Sequence, residues 1–147
     1  MSVVMTMAEE VLVHLLKTDE SVLALVGFSD GFRIVPDQLP IAWKGQTSIV
    51  YAQQSDKRQR VVNGSETGLV RVRFAIYCVD RNRGVSRQLA TAVRNAITVN
   101  SSTEIAGVRV RQVFVADGEQ DESLPGTDGQ DAPERYRTLE CVITYRT

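Results

Sequence analysis

The stretch LVRVRFAIYC, residues 69–78, constrains the fold more than any other. Val70, Val72, Phe74, Ile76 and Cys78 recur at every second position, with Arg71 and Arg73 between them. Successive side chains of a strand point to opposite faces, so this pattern demands a sheet with one apolar face and one face bearing arginine. The same Arg-x-Arg opening recurs in GVRVRQVFVA (Arg109, Arg111) and in ERYRTLECVI (Arg135, Arg137). In the former, Val108 and Val110 alternate with the arginines in the same sense. In the latter, Arg135 and Arg137 share the phase of Leu139, Cys141, Ile143 and Tyr145, the apolar side. They must therefore lie beyond the core edge or precede a bulge.

The other segments complete an α+β pattern. TMAEEVLVHLLK reads as a helix, with a capping box from Thr6 to Glu9 and an apolar stripe of Ala8, Val11, Leu12, Leu15 and Leu16. DESVLALVG is a second, short helix, capped by Thr18 or Asp19 and stopped by Gly27. FRIVPDQLP gives a short strand and a proline-punctuated loop. TSIVYAQQ is a strand with Ile49 and Tyr51 on one face and Val50 on the other. It joins 69–79 through SDKRQRVVNGSETG, a basic hairpin arm (56–68) with a turn-like Asn63-Gly64. DRNRGVSRQLATAVRNAITVN is a helix with the stripe Val85, Leu89, Ala92, Val93 and Ala96, and with Arg87, Thr91 and Arg94 on its polar side. Residues 117–134 are rich in glycine, proline and acid, and read as a long mobile loop.

The expected architecture is a single domain over 1–147: a mostly antiparallel or mixed sheet of about four to five strands. Helices pack on one face, and a hairpin arm projects. A helix joins 69–79 to 108–116, so these strands run parallel if they share a sheet. Both starts then lie at one end, with Lys57, Arg58 and Arg60 of the arm. The acidic loop, with Asp117, Glu119, Asp121 and Glu122, begins at the other end. Arg81, Arg83 and Arg87 blur this polarity, because they start a helix there.

Composition excludes several classes. With 17 Lys+Arg against 18 Asp+Glu the net charge is −1, so bulk attraction to nucleic acid is not expected. The cations are mostly arginine, which suits planar pairing with carboxylates or phosphates. Cys78 and Cys141 lie in apolar runs and read as small buried hydrophobes. The lone His14 falls off its helix stripe, and no catalytic triad, nucleophile elbow or phosphate loop is present. The acidic loop could offer oxygens to calcium, but its spacing is not that of an EF-hand. No catalytic, cofactor or metal residues are expected, so the chain reads as no enzyme. No stretch reaches the ~20 apolar residues of a membrane span, and no signal peptide opens the chain; an intracellular, reducing origin is the default. For the arginines three readings stand: solvated strand faces with local ion pairs, an assembly interface, or direct nucleic-acid contact.

The order of segments resembles the tail-terminator (tail-completion) proteins of long-tailed double-stranded DNA phages. The resemblance rests on Asp19 to Gly27, on Ile34 to Pro40 with Val35 replacing an aromatic, and on the Val50-Tyr51 pair. It also rests on Tyr77-Cys78, on Leu89 to Ile97, and on the arginine-led final strand. Each piece is weak alone; their order and spacing over nearly the whole chain carry the likeness. The resemblance implies a virion protein assembled in the host cytoplasm. It forms a ring with itself, commonly of six copies, on the head-facing end of the tail tube, and it ends tube polymerisation. Its expected partners are the tail tube protein and the head-tail connector, with genome DNA passing through the channel without sequence-specific binding and no membrane involved. The alternatives are another neck or baseplate component, or a small nucleic-acid-binding module. The candidate interface residues are Lys57, Arg58, Arg60, Arg71, Arg73, Arg109, Arg111, Asp117, Glu119, Asp121 and Glu122.

Overall fold

The computed structural model describes residues 7–28, 31–38, 46–60, 66–80, 82–98, 104–124 and 134–146. Among these residues three helices, α1 (Met7–Lys17), α2 (Glu20–Val26) and α3 (Arg83–Thr98), accompany eight strands. The strands are β1 (Gly27–Phe28), β2 (Gly31–Phe32), β3 (Ile34–Pro36), β4 (Ser48–Arg60), β5 (Glu66–Asp80), β6 (Glu104–Ile105), β7 (Val108–Leu124) and β8 (Glu134–Arg146). β1 and β2 form a small antiparallel pair. The other six form one sheet in the order β3-β4-β5-β8-β7-β6.

The fold is α+β with a mixed sheet, as the segment order implies. It is mixed because β3 runs parallel to β4, while the remaining pairs are antiparallel. Six strands are present where four to five are expected. β3 falls in the strand expected in FRIVPDQLP; the extra one is β6, a two-residue edge strand too brief to show a period in the sequence. β5 and β7 are indeed parallel, but they do not touch: the C-terminal strand β8 lies between them. The helix crossover leaves a gap that the last strand fills by pairing antiparallel on both sides.

The core joins the helix stripes to one sheet face. Ala8, Val11, Leu12, Leu15 and Leu16 of α1, and Leu89, Val93 and Ile97 of α3, are buried with Val70, Val72, Phe74, Ile76 and Cys78 of β5. Leu139, Cys141, Ile143 and Tyr145 of β8 complete that face. Phe74 meets Tyr51 edge to face, with ring centroids 6.1 Å apart. The two cysteines are buried and not joined in a disulfide, as apolar fillers should be.

Local signals account for the element ends. Asp19 is the α2 cap: its carboxylate accepts the Val22 N–H at 3.0 Å. Gly27 ends α2, where a Cβ would come within 2.5 Å of the Leu23 carbonyl oxygen. Asn82 caps α3 by accepting from the N–H groups of Gly84 and Val85 at 2.8 and 3.3 Å. Thr6, the expected α1 cap, lies outside the described residues, as do the Asn63-Gly64 turn and 125–133. The first part of the expected loop, 117–124, is strand: β7 continues through it and pairs with β8 as far as Leu124 opposite Glu134. Backbone hydrogen bonding overrides the poor strand propensity of acidic residues there, because β8 already offers a free edge.

Candidate interaction surface

The other sheet face has no helix packed on it; it is bare in that sense alone, since part of it is buried. From β5 this face carries Leu69, Arg71, Arg73, Ala75, Tyr77 and Val79; from β8 it carries Thr138, Glu140, Val142, Thr144 and Arg146, by the unbroken register Leu69 with Arg146 to Asp80 with Arg135. Its middle is apolar and tight: Val50, Ala75, Val79 and Val142 are buried, Val142 completely. Its Leu69 end is basic, with Arg71, Arg73, Arg109 and Arg146 exposed.

Two bulges in β7 shape this surface. Val110 pairs with Tyr145 and Gln112 with Thr144, which leaves Arg111 as an extra residue. The bulge shifts the phase, so Val108 and Val110 before it and Val113 and Val115 after it all reach the core. Phe114 is thereby opposite Val142 on the bare face. The guanidinium of Arg71 sits over the Phe114 ring, 5.9 Å from its centroid. A second irregularity, between Ala116 and Gln120, precedes the paired acidic half of the strand.

Arg73 donates to Glu140 at 3.1 Å, and both are part-exposed. Such a pair orients the guanidinium and adds little stability. Arg109, Arg111 and Arg146 line, with Glu104 and Val110, a cleft of ≈ 360 Å³ at the β6–β7–β8 corner. The Ala106-Gly107 turn links β6 to β7 beside the cleft. Both residues have positive φ, 52 and 78°, the geometry of a two-residue hairpin turn that follows sheet twist.

The fold is similar to that of a known virion chain. A chain in a solved structure, the virion of a native gene transfer agent (GTA) particle, matches with a TM-score of 0.60 and 16% sequence identity. The match covers 93% of this chain and 92% of that one. No family model and no curated protein matches the sequence. At that identity the likeness is one of fold.

The expected interface residues thus fall into two groups. By register Lys57 stands opposite Arg71 and Arg58 opposite Val70, with Arg60 opposite Glu66, so all three lie on β4 at the end that holds Arg109 and Arg111. Asp117, Glu119, Asp121 and Glu122 lie on the far half of β7, where Asp121 is opposite Arg137. Arg135 and Arg137 belong to that far end, and Arg137 is half-buried in register with the buried core residue Cys78 rather than beyond the core edge. They reach it without a bulge on the β5 side, since Cys78 pairs with Arg137 and Asp80 with Arg135. Sequence reading missed Arg146, Glu104 and Glu140. Arg146 was legible: it follows Tyr145 and so faces away from the core. Glu104 had no signal, because a two-residue strand shows no period.

Two groups on the core side titrate abnormally. Burial pushes the Cys141 thiol up to about 12. Burial, and then the nearby Glu9 carboxylate, push the Tyr51 phenol well above its ordinary range; the hydroxyl donates to Glu9 at 3.3 Å. Neither group opens onto the bare face, and neither has the depressed pKa of an activated nucleophile. Among the described residues no cluster of metal-ligating side chains occurs, and no helix is long and apolar enough to cross a membrane.

Proposed function

We propose that this chain is a structural virion protein that forms a ring on the head-proximal end of a phage tail tube, ends tube polymerisation and offers the surface to which the head is joined. The observation that carries this reading is the whole-length fold likeness to a chain of a virion particle. The ordered sequence resemblance to tail terminators, from Asp19 to the final strand, supports it independently. Function on this reading is surface complementarity, with no reaction: the helix-covered face holds the protomer together and the bare face and strand ends meet partners. Those partners are other copies, the tube protein and the connector, while DNA passes through the opening.

The deciding experiment is a mass measurement of the chain in solution, repeated with purified tail tubes, together with tube lengths grown with and without it. Closed rings on one tube end and arrested growth are expected. A chain that stays monomeric and leaves tubes unbound and unchanged overturns the reading. Rings found elsewhere on the particle would make it another neck or baseplate component. The basic strand end favours one further reading, a small nucleic-acid-binding module. A salt-sensitive shift of duplex DNA, without tube binding, would establish that instead.

A further inference from the structure

Arginine is partnered at several places in this fold and left unpaired as a group at one corner. Arg73 donates to Glu140, and Arg33 donates to the carbonyl oxygens of Thr47 and Leu25 at 2.7 and 3.4 Å. Arg87, Arg94 and Arg137 also have contacts of their own. Among the described residues, Arg109, Arg111 and Arg146 form no ion pair. These three line the one cleft at the β6–β7–β8 corner.

The sheet forces them together. Arg109 stands directly opposite Arg146, which sets their Cβ atoms about 5 Å apart. Val108, Val110 and Tyr145 are buried in the core, so by alternation both arginines project from the other face. The β7 bulge adds Arg111 beside them. One described carboxylate lines the cleft, Glu104 in register with Arg109, against three guanidiniums. Glu66 lies three residues beyond Leu69, the partner of Arg146, and stands opposite Arg60 on β4. Opposed like charges destabilise a strand pair, and a fold that keeps them breaks a folding rule where a ligand makes up the loss.

The cleft, at ≈ 360 Å³, has room for a small polar group. Guanidinium forks match the oxygens of carboxylates and phosphates. Three observations favour the phosphates of an extended polyanion. The cations continue past the cleft: Arg71 is in register with Thr144, which pairs with Gln112 beside Arg111. Arginines thus form a stripe across β5, β8 and β7, about 10 Å wide at the usual strand spacing. Val110, the apolar residue among those lining the cleft, is buried and offers no anchor to a peptide side chain. The Phe114 ring lies under Arg71, 5.9 Å from its guanidinium, and is not open for a base to stack on. With the whole chain at −1, affinity for a polyanion has to come from a local patch of this kind.

We infer that Arg109, Arg111 and Arg146, flanked by Arg71, form a site for the backbone phosphates of duplex DNA. Phosphate contacts alone carry no base information, so the site takes any sequence. The inference deepens the ring reading and rests on it for a duplex at the opening.

The test titrates the whole chain, free and on tail-tube ends, with short fluorescent duplexes of two unrelated sequences over a range of salt. Both duplexes should bind alike, with log K falling linearly against log salt by about 0.9 per phosphate contacted. R109Q/R146Q should flatten that slope by about 2 and weaken binding roughly tenfold or more. R109K/R146K keeps the charges and should keep most of the slope. R83Q removes an exposed arginine at the start of α3 and should leave the slope unchanged. Thermal melts confirm that each variant folds. No duplex binding by the wild-type chain in either setting overturns the site, as does an unchanged slope in R109Q/R146Q or an equal loss in R83Q. A polyglutamate peptide that displaces the duplex at equal concentration would assign the cleft to an acidic protein surface instead. Inorganic pyrophosphate bound where duplex is not would make it a site for free phosphates, and either result overturns the duplex assignment. Tubes capped by a chain that binds no duplex would remove the site and leave the ring reading. Duplex binding by a chain that never caps tubes would remove the ring reading and leave the site.

Discussion

The two faces of β5 share one backbone and do opposite work. On one, Val70, Val72, Phe74, Ile76 and Cys78 are at most 2% exposed, beneath α1 and α3. On the other, Arg71 and Arg73 stand in solvent, and the apolar residues between and beyond them pack within the sheet. Stability is concentrated on the first face, because burying apolar surface is worth about 25 cal/mol per Å² and exposed ion pairs are worth ~0–1 kcal/mol. On the proposed reading recognition falls to the second face, where exposed side chains can change at small cost to the fold.

Truncation across β5 tests that division most sharply. Phe74→Ala should cost about 3–5 kcal/mol in urea unfolding, since it empties the ring site against Tyr51. If it costs no more than Arg71→Ala, the two faces are not distinct in energy and the comparison fails.

Alkaline unfolding probes the buried face from another side. The Cys141 thiol is held up near 12, against 9.0 for a free thiol, and the Tyr51 phenol is also raised. Below pH 9 the thiol is protonated whether folded or not and takes nothing from stability. Between pH 9 and about 12 the unfolded chain loses that proton and the folded chain keeps it, so stability should fall as pH rises. Denaturant midpoints across that window should drop by less in Cys141→Ala, with the Tyr51 contribution remaining. An unchanged slope would show that the thiol is better hydrated than its position implies.

Gly107 ties the two faces together at the β6–β7 corner, where Ile105 and Val108 are buried and Glu104 and Arg109 are exposed. Its φ is +78° and a Cβ would meet nothing within 4 Å, so Gly107→Ala should cost only the left-handed backbone term, about 1–2 kcal/mol. A larger loss of stability would mean that the corner supports the core more than its packing shows.

The smallest effect belongs to the bare face. Arg73→Ala should change stability by less than about 1 kcal/mol, because its partner Glu140 is also part-exposed. A loss of several kcal/mol would place Arg73 in the fold rather than on its surface.

Legibility in the sequence follows the range of the interactions. The apolar stripes of α1 and α3, the caps at Asp19 and Gly27, and the buried set of β5 were readable because each depends on neighbours within a few residues. The phase break in β7 was also present, as apolar residues three apart at Val110 and Val113, although it reads as a bulge only beside a partner strand. Residues 117–124 misled for the same reason. Acid and glycine suggest a loop until β8 supplies backbone partners.

By itself, then, the sequence determined that this chain builds a half-buried sheet under helices, and which side of each long strand carries arginine. Periodicity is a local property, and it survives any arrangement of the strands. Only the tertiary structure decided which strands touch. Pairing joins residues far apart in the chain, and propensity does not encode it. Placing β8 between β5 and β7 brought Arg146 against Arg109. The opening arginines of 69–78 became, through that placement, part of one charged end.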